Sequence, residues 1–210
     1  PFNFTAIAGN LTVAGGTATL QAADQIADGK NVVVTSGTLD VASFNDTVNG
    51  VQITGGTITG TTGALTSTTA FDLQAGTVSA ILGGTAGANK TTAGTVTLSK
   101  TNTYTGATTV SAGTLTLGHA TNTLADASTV VVSGGTLDLG GNADTVAGVQ
   151  QTGGTIQNGT LTSTTAFDMQ AGTASANLAG AVGLDKTTAG TTTLSGTNTY
   201  TGTTTVSAGN

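Results

Sequence analysis

A 24-residue stretch, Lys90 to Gly113 (KTTAGTVTLSKTNTYTGATTVSAG), returns 96 residues later as Lys186 to Gly209 (KTTAGTTTLSGTNTYTGTTTVSAG). Only three positions differ: Val96 becomes Thr192, Lys100 becomes Gly196 and Ala107 becomes Thr203. A chain that copies itself this closely is built by repetition, so its fold must be one in which repeats stack. A finer unit lies inside the long one: Gly-Thr followed by an alternating strand. Its glycines are Gly16, Gly37, Gly56, Gly76, Gly94, Gly113, Gly135, Gly154, Gly172, Gly190 and Gly209, at steps of 18 to 22 residues.

Each unit carries the period of two that marks a half-buried strand. In Gly113-Thr-Leu-Thr-Leu-Gly118 the leucines face one way and the threonines the other. The same parity gives an inward ladder of Leu20, Leu39, Ile58, Val78, Val96, Leu98, Leu115, Leu117, Leu137, Leu139, Ile156 and Leu194. It gives an outward ladder of Thr17, Thr38, Thr57, Thr77, Thr95, Thr114, Thr136, Thr155, Thr173 and Thr191. A second apolar strand precedes several units, as in Val32-Val33-Val34 and Val130-Val131-Val132. No i, i+3, i+4 stripe appears, and Thr, Val and Gly are poor helix formers. The expectation is all-β. Turns of about 19 residues holding two or three short strands predict a parallel β-helix (a solenoid) of about 10–11 coils of roughly 19 residues. With strands ~4.8 Å apart, that makes a rod roughly 50 Å long. An antiparallel sandwich, the rival architecture, suits strands every 8–12 residues and leaves the longer period unexplained.

A larger period overlies the small one. Leu65 to Gly76 (LTSTTAFDLQAG) returns as Leu161 to Gly172 (LTSTTAFDMQAG), 96 residues on, whereas Gly37-Thr-Leu-Asp40 returns as Gly135-Thr-Leu-Asp138, 98 residues on. Two residues are therefore lost between Thr57 and Leu65, at a corner. Five coils make one super-repeat, giving a single segment over 1–210 with super-repeats at approximately 16–112 and 113–209. Neither end shows the polar capping coil that solenoids use, so the expectation is a segment of a longer repeat protein.

Composition narrows the function classes. Of 210 residues, Thr is about a quarter, Gly 33 and charged residues 7%; Arg, Glu and Cys are absent. A net charge of −6 with four scattered Lys excludes phosphate-neutralising nucleic-acid binding. Without Cys there is no disulfide framework and no thiolate metal site. No apolar run reaches the ~20 residues of a spanning helix, so membrane insertion by this segment is not expected. The opening Pro1-Phe2-Asn3-Phe4 lacks signal-peptide features. Regularly spaced aliphatics argue against the disorder that polar low-complexity chains adopt.

Thr95 to Gly118 (TVTLSKTNTYTGATTVSAGTLTLG) is similar to the autotransporter-associated β-strand repeat of bacterial passenger domains. So are Asn122-Thr-Leu-Ala and Val130-Val-Val-Ser-Gly-Gly-Thr-Leu-Asp-Leu-Gly140 with Asn142-Ala-Asp-Thr-Val-Ala-Gly148. The resemblance covers most of the chain and loosens over Pro1 to Gly15. It implies a right-handed parallel β-helix, export to the cell surface, and adhesive or matrix roles. The partners it suggests are neighbouring repeats or copies of the same chain end to end, with a host surface or glycans as outer targets.

Groups able to do chemistry are few. His119, the only histidine, sits in the corner Gly118 to Asn122 with no second histidine to complete a metal site and no serine–aspartate set to complete a triad. Among the ten Asp, Asp40/Asp138, Asp46/Asp144 and Asp72/Asp168 are copies about five coils, roughly 24 Å, apart. Such copies do not share one site, and they read as solubilising or corner-capping residues. Weak Ca²⁺ binding is the alternative, without the Gly-Gly-x-Gly-x-Asp calcium-coil motif. Thr-x-Thr strands such as Thr95-Val-Thr97 suggest an ice-binding lattice, but Asp40, Asp138, Gln157, Ser79 and Ser175 interrupt it. Phe71 and Phe167 are expected in the core. Tyr104 and Tyr200 are expected at corners covering its end, with carbohydrate platforms as the alternative. The reading is a non-catalytic extracellular rod, adhesive or structural, needing no cofactor. A polysaccharide-binding or polysaccharide-active β-helix and an ice binder are the alternatives.

Overall fold

A computed structural model describes residues 6–210; Phe2 and Phe4 lie outside the described residues. All of the described regular structure is strand: 21 strands in one hydrogen-bonded sheet, with no helix. Every pairing between these strands is parallel and joins segments about one coil apart. Such a sheet, wound by a short chain with no helical crossovers, is a β-solenoid. It has about ten turns of roughly 19 residues.

Two ladders run along the rod. One stacks the Gly-Thr units: Thr17–Thr19 on Thr38–Asp40, then on Thr57–Thr59, and Thr114–Leu117 on Thr95–Leu98. The other stacks the preceding strands, Leu11–Val13 on Val32–Val34, then on Val51–Ile53, and onward to Leu184–Lys186 on Thr204–Val206. A third set is local, such as Asp46–Val48 on Leu65–Ser67 and Thr160–Thr162 on Asn177–Ala179. The side-chain period of two turns each ladder into alternating columns, one facing in and one facing out.

The inner columns form one continuous core. Leu115 stacks between Val96 and Leu137, and Leu137 stacks on Ile156. Of the inward ladder read from sequence, eleven members are buried and Leu194, in the last coil, is half-buried. No member of the outward Thr ladder is buried. The aromatics join the core in pairs. Phe71 packs on Tyr104 at 5.9 Å between ring centroids and Phe167 on Tyr200 at 6.0 Å. The Tyr104 hydroxyl shares a 2.8 Å hydrogen bond with Thr108 Oγ1. Tyr104 is fully buried and is no surface platform; Tyr200 is half-buried, with the same bond to Thr204.

The Gly-Thr register is not constant, as the even spacing of the glycines suggests it should be. Thr77 pairs with Thr97, not Thr95, and Val78 with Leu98, not Val96. Thr173 likewise pairs with Thr193 in place of Thr191. The difference is taken up at the corner: three residues separate Asp72 from Gly76, but six separate Asn89 from Val96 stacked on them. Gly94 consequently stands over Gln74 and Ala75, and Gly190 over Gln170 and Ala171. A slip of two residues leaves every side chain on its own face, where a slip of one would turn the core outward. The two extra residues of the first super-repeat lie at the register break between Thr59 and Ala64.

The corners are tight enough to exclude side chains. At Gly56 (φ 68°) an added Cβ would lie 2.5 Å from the Gly37 carbonyl oxygen of the coil beneath. Only glycine accepts both that dihedral and that approach without strain. Replacing Leu115 by Ala is expected to lower stability by about 2–5 kcal/mol, because a buried column loses atoms that the stacked coils cannot collapse to replace. Thr114→Ser, one residue away and half-exposed, is expected to stay within about 0.5 kcal/mol. Chemical denaturation of the two variants checks the assignment of faces; equal losses would reverse it.

Candidate functional site

Two kinds of polar feature stand out from the aliphatic stack, one inside the rod and one on its flank. The inner ones are charged residues in the core. Lys90 and Lys186 are fully buried at equivalent places in the two super-repeats. The Lys90 ammonium donates to the Thr92 carbonyl and, at 3.3 Å, to that of Ala112; Lys186 does the same with Thr188 and, at 3.1 Å, Ala208. These carbonyls belong to the lengthened corner and to the corner stacked on it. The extra residues turn backbone acceptors away from the ladder, and the ammonium satisfies them. Burial pushes the Lys90 ammonium below its ordinary pKa, with Asp72 opposing that shift. In the sequence these lysines are two of four scattered cations with no assigned place. The signal that finds them is the Lys-Thr-Thr-Ala-Gly corner kept intact in both copies, while Lys100 gives way to Gly196.

Asp46 and Asp144 are the second buried pair, only 1% and 2% exposed, so of the two roles read from their repetition they take corner-capping and not solubilising. Each reaches into the long corner of the coil before it: Asp46 Oδ2 accepts the Ile26 N–H at 3.0 Å and Asp144 Oδ2 the Leu124 N–H at 3.1 Å. The other oxygen of each carboxylate has no hydrogen-bond partner. Burial drives both acids upward, Asp144 to about 6; the backbone N–H bonds oppose the rise and nearby Asp126 adds to it. For Asp46 the added push comes from Asp24 and Asp28. Asp40 and Asp138 cap corners more openly, accepting the Ala42 and Gly140 N–H groups at 2.8 Å.

On the flank, two grooves of about 290 and 310 Å³ occupy equivalent places, one in each super-repeat. The first is lined by Asn31, Val33, Asn49, Gln52, Thr69 and Asp72 around Gly50. The second has Val131, Gln150, Thr165 and Asp168 around Gly148. Parallel pairing places Gln52 on Asp72 and Gln150 on Asp168 in adjacent coils. In both pairs the glutamine amide donates to the carboxylate, at 2.6 and 2.7 Å. Sequence reading named Asp72 and Asp168 as copies but not their glutamine partners, because attention fell on the Gly-Thr strand and not on the one before it.

These features do not converge on a reaction centre. His119 is half-buried at its corner, with Nδ1 2.6 Å from the Thr121 carbonyl oxygen, and no carboxylate is among its hydrogen-bond partners. Among the described residues no group of three or more His, Cys, Asp or Glu is placed to hold a metal ion. The outward Thr columns are interrupted by Asp40 stacked on Thr59 and by Asp138 stacked on Gln157, so the hydroxyl rows are not continuous along the rod.

Residues 89–117, 112–139 and 184–210 match the family model of the passenger-associated transport repeat, in agreement with the repeat of autotransporter passenger domains. The first and last of these stretches contain the buried lysines and the tyrosines that pack on Phe71 and Phe167. No curated protein and no solved structure gives a significant match to the chain.

The buried aspartates make stability depend on pH. A carboxyl whose pKa is higher folded than unfolded favours folding fully below the unfolded value of ~3.9, and loses that contribution as pH rises toward the folded value. For Asp144 the window is therefore roughly pH 4 to 6, and the loss is on the order of 3 kcal/mol. Thermal melts should show the wild-type protein losing stability across that window. Asp144→Asn keeps an acceptor for Leu124 and removes the ionisation, so it should flatten the profile and gain stability at pH 7. A steeper profile for Asp144→Asn would refute the assignment.

Proposed function

We propose that this segment, whose coils carry passenger-associated transport repeats, is a non-catalytic rod of a secreted or cell-surface protein. It sets reach and stiffness and presents repeated lateral surfaces for adhesion. The observation that carries this reading is the single unbroken parallel ladder, in which the same residues return five coils on. Length and stiffness grow with coil number, since each coil contacts only its neighbours. A catalytic site gains nothing from a copy roughly 24 Å away. The family repeat supports placement outside the cell, and the scarcity of charge inside the rod supports a part that is chiefly mechanical.

The rod's partners along its axis are further coils, of the same polypeptide or of a second copy. Each strand of the sheet pairs in parallel with a strand about one coil away, so further coils extend the same sheet without new contacts of another kind.

Small-angle scattering should give an elongated particle roughly 50 Å long for about ten coils, and inserting one more super-repeat should lengthen it by roughly 24 Å. A particle that thickens without lengthening would rule out the rod. Protease shaving of intact cells producing the parent protein is expected to release this segment.

A further inference from the structure

The two flank grooves have features that a spacer rod does not need. Gly50 and Gly148 form their floors, and neither requires a positive φ. A Cβ at Gly50 would come within 3.0 Å of Thr69 Oγ1 and 3.1 Å of Asn31 Oδ1; at Gly148 it would come within 2.9 Å of Thr165 Oγ1. The missing Cβ is what lets the Thr69, Asn31 and Thr165 oxygens come close over the groove floors. Thr69 and Thr165 are fixed by donating to the Asn49 and Ala147 carbonyls at 2.8 Å, and Asn49 Nδ2 donates to Asn31 Oδ1 at 2.8 Å. Along one rim the amide–carboxylate pairs Gln52–Asp72 and Gln150–Asp168 hold each other in place. A second glutamine, Gln74 or Gln170, donates to the same carboxylate. Val33 and Val131 supply the apolar part of each wall.

We infer that the two grooves are paired subsites for one neutral, linear polysaccharide laid along the rod. Fixed amides, hydroxyls and a carboxylate beside a small apolar wall match the hydroxyl edges and C–H face of a sugar ring. At about 300 Å³ each groove is at the small end of ligand clefts, suited to a short stretch of sugar. The charge balance selects among polymers. Neither groove is lined by a cation, and each has one carboxylate, so an anionic glycan is repelled. That single carboxylate is already bonded by two glutamine amides, which leaves little to attract a basic peptide. The grooves lie five coils, roughly 24 Å, apart on the same ladder. A chain of repeating sugars reaches both, and the second contact becomes intramolecular.

The inference rests on the extracellular reading only in that surface glycans are what such a rod meets. The test is binding of the whole segment to neutral cello-, manno- and xylo-oligosaccharides, as disaccharides and as long chains, followed by calorimetry and by retardation in affinity gels. Polygalacturonate and polylysine serve as anionic and basic probes. For at least one neutral series, long chains should bind at least about tenfold more tightly than disaccharides, the gain expected from linking two weak sites. Gln52→Ala or Gln150→Ala alone should abolish that length dependence, and the double variant should lose binding tenfold or more with its melting temperature unchanged. Gly50→Ala with Gly148→Ala should do the same by filling the floors. The inference is overturned if no neutral glycan is retained, if the double variants bind as the wild type does, or if only polygalacturonate or polylysine is held. A rod confirmed by scattering with no glycan bound would remove this inference and leave the mechanical reading standing.

Discussion

The coil-to-coil hydrogen-bond ladder is the interaction on which the rest of the molecule depends. A winding of about 19 residues buries little by itself, and its strands of three or four residues would not persist in water. Stacked on another, each strand satisfies its backbone groups and its inward side chains gain a like neighbour above and below. Leu115 between Val96 and Leu137 shows the arrangement. Because a backbone ladder is indifferent to side chains, it imposes only two conditions on sequence: parity along each strand and room at each corner. That is why a chain so rich in Thr and Gly still folds.

The two conditions account for what was legible in the residues. Alternation in Gly-Thr-Leu-Thr-Leu separates inward from outward without any structure, because a wrong parity would bury threonine and expose leucine. Register is harder to read. The slip that sets Thr77 on Thr97 preserves parity, so every pattern based on alternation is blind to it. Its source is the corner Lys-Thr-Thr-Ala-Gly, where six residues run between strands that three residues join on the coil below, and that depends on how the corner is packed. The buried charges are less legible still. Asp46 and Asp72 look alike in composition and in how faithfully they recur, yet one lies in the core and the other on the flank. What separates them is the strand each occupies, and only pairing reveals that. The grooves were hidden for a related reason: Gln52 and Asp72 lie twenty residues apart and meet only because one coil sits on the next.

Corners are where the aliphatic logic is suspended. A coil that lengthens must turn some carbonyls or N–H groups out of the ladder, and burying them without partners costs about 1–3 kcal/mol each. The chain meets this with charged side chains whose stems pack in the core. Lysine ammonium groups serve displaced carbonyls at Thr92 and Ala112, and aspartate carboxylates serve displaced N–H groups at Ile26 and Leu124. The sign of the charge follows from which backbone group has been displaced. The buried charges of this rod are thus consequences of its length variation.

The same reasoning accounts for the super-repeat. In a strictly uniform solenoid a buried lysine would recur on every coil, about 4.8 Å from the next. At an effective dielectric near 20, two like charges at that spacing repel by roughly 3–4 kcal/mol. At a spacing of five coils, roughly 24 Å, the same dielectric leaves only about 0.7 kcal/mol of repulsion. Lengthened, charge-stitched corners can therefore be spread along the rod but not placed on consecutive coils. The flank obeys a weaker form of the rule. Asp168 does stack beside Asp185 on the next coil, where water screens the pair, while the equivalent of Asp185 in the first super-repeat is the neutral Asn89. The 96-residue period is then the shortest repeat seen here that carries one lysine corner, one aspartate corner and one groove without crowding like charges. Regularity at the level of the coil supplies the fold, and the departures from it, kept far enough apart to coexist, supply the places where this rod can differ from coil to coil.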